Sequence, residues 1–143
     1  MKRCLADVNV LLPLLVRHHE HHELALRWFD GLAAEEAVLC RFVQLALVRL
    51  LGNRATMGKY AISAAKAWKL IEELLEDERM EFAAEPPLVD AVLPKLLRYA
   101  SPTSKLVGDA YLAAFCMAGQ MRLVTIDQGF RQFHDLDLEL LDH

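Results

Sequence analysis

Three aspartates, Asp7, Asp109 and Asp127, stand at the ends of apolar segments that lie far apart in the chain. Asp7 closes Arg3-Cys4-Leu5-Ala6, Asp127 closes Leu123-Val124-Thr125-Ile126, and Asp109 opens Asp109-Ala110-Tyr111-Leu112-Ala113-Ala114-Phe115. An ionised carboxylate at the margin of an apolar core is costly unless something positive pairs with it. No Lys or Arg recurs beside all three, so a divalent cation is the most economical partner. Hard oxygen ligands suit Mg²⁺ or Mn²⁺, which bind through one or two carboxylates, waters and a substrate phosphate. The chemistry expected of such a set is metal-assisted phosphodiester hydrolysis. Taken singly, each aspartate equally well caps a helix or makes a turn. Only the joint pattern points to a metal.

Residues 3–6, 37–40, 80–83 and 122–126 read as short buried strands, and residues 136–141 as an edge strand. Helical runs separate them. Residues 10–16 make an apolar helix of about two turns, with Pro13 placed in its first turn, where the missing N–H is tolerated. Residues 21–32 are amphipathic and end at Gly31, and residues 42–51 close on Gly52-Asn53. Residues 63–75 carry Glu72 and Glu73 on a solvated face, continued by Glu76, and residues 88–99 follow Pro86-Pro87. A loop at 101–104 leads to the helix that Asp109 opens and Gly119 ends, and residues 128–133 form a short turn or helix. This alternation predicts an α/β fold, a parallel sheet covered on both faces. Ligands of such folds sit outside the carboxyl ends of the strands, where strand order reverses. If the strands before Asp7 and Asp127 are neighbours, the two carboxylates share a crevice. Asp109, near a helix start whose dipole favours an anion, can face them.

The bulk properties narrow the function. A chain of 143 residues, 55% hydrophobic and 25% charged, is expected to be a single folded domain spanning residues 1–143. Its formal net charge of −4 argues against a protein that grips RNA or DNA by bulk electrostatics. A metal nuclease stays open, because bound cations offset its carboxylates. Cys4, Cys40 and Cys116 are odd in number and each sits in an apolar stretch, so they read as buried thiols of a reducing compartment. The start Met1-Lys2-Arg3 has the charge of a signal peptide, but Asp7 and Asn9 interrupt the apolar run and no small-x-small site follows. Residues 10–16 are too few to span a bilayer, so a cytoplasmic location with no membrane partner is expected. His18-His19-x-His21-His22 invites a site for softer metals. With Glu20 and Glu23 interleaved and no paired Cys or His cluster, a solvated, pH-sensitive helix start is the better reading.

Five stretches in order now carry a family resemblance. They are Ala6-Asp7-Val8-Asn9-Val10-Leu11-Leu12, His22-x-x-Ala25-x-x-Trp28, and Arg41-Phe42-Val43-Gln44 with Val48-Arg49-Leu50-Leu51-Gly52-Asn53. The last two are Asp109-Ala110-Tyr111-Leu112-Ala113-Ala114 and Leu123-Val124-Thr125-Ile126-Asp127-Gln128-Gly129-Phe130. Their order and spacing resemble a PIN-domain ribonuclease of the VapC toxin type over nearly the whole chain. The resemblance implies a three-layer α/β/α domain on a parallel sheet of four to five strands. It further implies a Mg²⁺- or Mn²⁺-dependent endoribonuclease acting on tRNA or other structured RNA, a cognate antitoxin and usually a homodimer. By position, Asp7, Asp109 and Asp127 correspond to its catalytic, metal-binding acids, and Asn9 and Thr125 to their polar accompaniments.

There is one departure. Many members carry a further Glu in the helix after the second strand, where this chain reads Gln44-Leu45-Ala46-Leu47-Val48-Arg49; Gln44 offers a neutral oxygen there but no charge. Asp7 and Asp109 are then the direct ligands, and Asp127 a third ligand or the base that orients water. Asn9, Thr125 and Gln44 hydrogen-bond and orient these groups. Arg41, Arg54, Lys59 and Lys105 flank the expected groove as candidate RNA contacts, with ordinary surface charge the alternative for most of them, and Arg49 is equally suited to pair an acid or to reach a phosphate. Trp28 and Trp68 read as core residues, and Leu11, Leu12, Leu14 and Leu15 as core or dimer face. The competing function is a PIN-like module that binds RNA or a protein partner with weakened catalysis.

Overall fold

A computed structural model of the chain describes residues 2–99 and 103–142, so the loop expected at 101–104 falls partly outside the described residues. Short runs of aliphatic residues pair into one parallel sheet: β1 Cys4–Ala6, β2 Ala37–Leu39, β3 Met80–Phe82, β4 Arg122–Thr125 and β5 Leu138–Leu140. Their spatial order is β3-β2-β1-β4-β5, with Leu5 opposite Val38 on one side and Leu123 on the other. β1 and β2 are buried along their length, as strands covered on both faces must be.

The helices are α1 Val8–Leu15, α2 His22–Asp30, α3 Arg41–Leu51, α4 Arg54–Met57, α5 Ala64–Leu75, α6 Val89–Tyr99 and α7 Ser104–Gly119. Chain order steps from β1 outward to β2 and β3, then returns across the sheet to β4 and β5. Right-handed crossovers in opposite directions put their helices on opposite faces. α1, α2, α3 and α5 therefore pack together on one side, and α6 with α7 cover the other. This is the three-layer arrangement expected, with five strands. No helix among the described residues is long and apolar enough to cross a membrane.

Two helices begin earlier than their apolar pattern suggests. α1 starts at Val8, because Asp7 is its N-cap, and Pro13 therefore falls past the first turn. The proline removes only the bond that Asn9 O would accept, and Val16 N–H closes the helix on Leu12 and Pro13 carbonyls. α7 starts at Ser104, capped by Thr103, whose hydroxyl accepts from Leu106 N–H at 3.3 Å. Asp109 consequently lies in the second turn and not at the helix start. α4 and the 3₁₀ turn Gly58–Tyr60 escape prediction because Arg54-Ala55-Thr56-Met57 has no apolar period. Asn53 caps α4, and Gly58 leaves it at φ +56°, a conformation that costs other residues more.

The core runs through both layers. Leu5, Leu39, Leu47, Ile71, Phe115 and Leu123 are sealed from solvent, and the three cysteines are buried free thiols. α3 offers an internal control on burial. Leu47 is 0% exposed and Leu45 53%. Leu47→Ala should cost about 2–5 kcal/mol in urea unfolding, against about 0.5 kcal/mol or less for Leu45→Ala. Equal losses for the two would contradict the placement of α3 on the sheet.

Candidate active site

The pairing of β1 with β4 fixes the first two acids. Ala6 lies opposite Val124, and Asp7 N–H donates to Val124 O at 2.9 Å, so Asp7 leaves the sheet beside Thr125. This is the switch point of the sheet, where the chain goes to β2 on one side and reaches β4 on the other. Asp7 is 7% exposed; its Oδ1 accepts from Val8 N–H at 2.7 Å and its Oδ2 from the Thr125 hydroxyl at 3.0 Å. Thr125 Oγ1 in turn accepts from Asn9 Nδ2 at 3.1 Å and from Asp127 N–H at 3.0 Å. Asn9 Oδ1 takes the Ile126 N–H at 3.2 Å. One buried hydroxyl thus ties together Asp7, Asn9 and the Asp127 backbone. Asp127 Oδ1 accepts from Gly129 N–H at 2.8 Å, and a Cβ at Gly129 would stand 3.1 Å from that oxygen, a tight contact that would make the Asp127 carboxylate shift.

Asp109 reaches the crevice from α7. Gly108 lets Phe42 of α3 lie close, since a Cβ there would meet the ring at 3.1 Å. Asp109 is half-buried and pushed up to about 6, first by burial and then by the charges of Asp127 and Asp7, against the pull of Lys105. Among the described residues its carboxylate accepts no hydrogen bond. Burial also raises Asp7, opposed by its Thr125 and Val8 bonds, with Asp127 raising it further. Asp127 goes the other way. Burial pushes it up, but the Lys105 hydrogen bond, the Gly129 N–H and the Lys105 charge outweigh that. The three acids therefore act on one another, as groups lining one crevice do.

The cation that the sequence appeared to lack is Lys105. Its ammonium donates to Asp127 Oδ2 and feels Asp109 and Asp7 as well. Lys105 and Asp109 are four residues apart on one helix, hence on one face. That relation stays hidden as long as the helix is taken to begin at Asp109. Lys105 is accordingly an ion-pair partner of the acids before it is a contact for RNA. The dipole argument for Asp109 also lapses, because it sits beyond the first turn, where the effect has faded.

The donor chemistry fits a hard divalent ion, with carboxylate oxygens at hand and one of the carboxylates unpaired. Among the described residues, no three His, Cys, Asp or Glu side chains are gathered closely enough to hold an ion by themselves. Mg²⁺ does not require it, since it keeps several waters and uses one or two carboxylates.

Several other sequence-derived candidates have partners of their own apart from the three acids. Gln44 is 3% exposed, and its Oε1 accepts from Arg41 Nη1 at 2.5 Å, so its oxygen serves an arginine. Arg41 lies over the Phe82 and Trp68 rings, at 5.0 and 5.7 Å from their centroids. Trp68 is thus partly a platform for a cation, whereas Trp28 packs against the core. Arg49 and Arg54 are exposed, and Lys59 lies over Tyr60 at 5.2 Å. The histidines form no three-ligand metal group among the described residues, although the His19 and His21 rings lie 5.6 Å apart: His18 packs tilted against Tyr60, His19 Nδ1 accepts from His21 N–H, and His22 Nδ1 donates to Pro13 O at 2.8 Å.

The profile of the PIN domain matches residues 4–136. The chain belongs to the PIN-domain family. It is 37% identical to Ribonuclease VapC41 of Mycobacterium tuberculosis, covering 96% of this chain and 97% of that one. Ribonuclease VapC44 of the same organism is 35% identical over 88% of this chain and 87% of its own. Among solved structures, the DNA-bound VapBC of Salmonella typhimurium superposes with a TM-score of 0.70 at 14% identity, covering 97% and 98% of the two chains. Mycobacterium tuberculosis VapC20, a toxin that cleaves the sarcin–ricin loop, gives 0.66 at 15% identity over 94% and 97%. This PIN fold is what brings Asp7 and Asp127 to neighbouring strand ends.

Two measurements test the site. Thr125→Val strands the Asn9 and Asp127 donors and should cost about 1–3 kcal/mol, with Thr125→Ser close to wild type. A fully stable valine variant would dismiss the hydroxyl as an organiser. Asp109 carries a raised pKa in the fold, near 6 against about 3.9 unfolded. The native state then binds more protons between those values, so this group's stabilisation is complete below about pH 4 and lost as pH rises through 6. In chelator-treated buffer, Asp109→Asn should melt above wild type at pH 7.5, and the gap should close by pH 4. A lower melting temperature at pH 7.5 would mark Asp109 as a structural acid.

Proposed function

We propose that this PIN domain is a divalent-metal-dependent endoribonuclease, the toxin of a toxin–antitoxin pair, cutting tRNA or other structured RNA. The observation that carries this is the crevice at the β1/β4 switch point, where buried Asp7, unpaired Asp109 and Asp127 act on one another. Relatives at 37% and 35% identity bear the name ribonuclease, and structures of the same fold are toxin–antitoxin complexes, which supports the reading. When bound, a Mg²⁺ or Mn²⁺ ion lowers the pKa of a coordinated water and neutralises charge on the phosphoryl oxygens. Asp7 and Asp109 are the residues that hold it. Asp127, fixed by Gly129 and the Thr125 turn, is a third ligand or orients the attacking water. Thr125, itself held by Asn9, keeps the Asp7 carboxylate in one rotamer, so this ligand would already be oriented for an ion.

Arg41 is the best placed of the three arginines for a phosphate, since Gln44 and the Phe82 and Trp68 rings fix its guanidinium at the start of α3, just past the carboxyl end of β2. Arg49, exposed near the end of α3, and Arg54, exposed on α4, are weaker candidate contacts. A single domain over residues 1–143, a homodimer, a cytoplasmic location and a cognate antitoxin as protein partner complete the reading. The competing function, a PIN module that binds RNA or a protein with weakened catalysis, rests on Gln44 standing where a charge is common.

Cleavage of a total tRNA pool in Mn²⁺ decides between them. Wild type should cut, and EDTA should stop it. Asp7→Asn and Asp109→Asn should each lose about 100-fold or more, as expected when several kcal/mol of charge stabilisation is removed. Undiminished cutting by both variants would remove these acids from the chemistry. No cutting by wild type, with RNA still bound, would favour the binding module.

A further inference from the structure

Lys105 is the only basic group with a hydrogen bond to any of the three acids among the described residues. Its charge is felt by Asp127, then Asp109, then Asp7. Its side chain is nonetheless 66% exposed, while Asp127 is 22% exposed, so the ammonium enters the crevice from solvent on a flexible stem. We propose that Lys105 is a resident counter-ion of this crevice that competes with the divalent ion, so that loading the site exchanges an internal ammonium for a metal. The inference rests on the metal reading given above and adds to it a built-in limit on affinity.

The physical logic is that of two ligands sharing one set of anions. Without a partner, three carboxylates in a partly buried crevice repel one another and are forced towards protonation. The ammonium offsets that repulsion and steadies the empty site. A divalent ion arriving among the same oxygens is opposed by the ammonium's charge and has to displace it from Asp127 Oδ2. Each cation therefore weakens the other's hold by the same factor. Release is easy because, among the described residues, the lysine makes no other hydrogen bond and its side chain is largely exposed to solvent. Once freed, it stays tethered beside the crevice, where the phosphate of a nucleic acid would lie.

The test uses the full chain stripped of metal, titrated with Mn²⁺ by calorimetry, with melting curves recorded with and without the ion. K105M removes the charge and keeps the stem; K105R keeps the charge. K105M should bind Mn²⁺ about 10-fold more tightly than wild type, within the usual range of such couplings. It should also melt lower without metal and gain more on its addition, while K105R should follow wild type. Equal or weaker binding by K105M, with wild type binding normally, would overturn the exchange and leave the metal reading intact. Binding by neither chain would overturn the metal reading, and the exchange with it.

Discussion

Gathering like charges at the edge of an apolar core is the constraint on which the rest of this structure turns. The sheet meets it by geometry. Two parallel strands that end side by side must both release their chains at the same rim, so acids placed just past each strand meet there. Asp7 and Asp127 meet this way only because the segment between β1 and β4 loops outward to build β2 and β3 before returning. Repulsion between the acids is then held in check locally. Each has fixed donors: Val8 N–H and the Thr125 hydroxyl for Asp7, Gly129 N–H and Lys105 for Asp127. Asp109 has none among the described residues, and burial holds it up near 6.

Thr125 shows how much depends on a single side chain. Its hydroxyl has one proton to give and lone pairs to receive; it bonds Asp7 and Asn9, more than a hundred positions away in sequence, and Asp127 N–H two residues on. A threonine suits the position twice over, because its branched side chain also favours the strand. α7 plays the matching part on the other face. Its first two turns carry Lys105, Gly108 and Asp109, so one helix delivers an acid, the cation that screens it and the gap that lets α3 approach.

Much of this was legible from residue order. Strands ending in Asp7 and Asp127 announce themselves by their apolar runs, and the parallel class follows from the alternation of elements. What stayed hidden has physical causes. Lys105 could not be linked to Asp109 while Thr103 went unrecognised as a cap, because the i, i+4 relation exists only inside a helix. Gln44 presented a free oxygen on paper, but the oxygen is committed to Arg41, a contact one helical turn away within α3. Pro13 suggested a late helix start, yet the Asp7 cap fixes an earlier one. α4 has too few residues for a periodic signal. Thr125 was equally readable as a plain strand residue, since packing and chemistry ask for the same side chain.

The electrostatics of the crevice also bear on how a chain of formal net charge −4 handles a polyanion. Bulk attraction is unavailable, so affinity for a phosphate backbone has to be local. The acids would repel a phosphate outright unless neutralised first. Lys105 offsets one charge and, on the proposed metal reading, an ion of charge two would offset more, which would make the occupied crevice the attractive one. Arg41 adds a second local cation whose planar head is already oriented by Gln44, Phe82 and Trp68, so little freedom is lost when it meets an anion. Binding and chemistry thereby become linked: the same neutralisation that admits the backbone completes the site that would cut it.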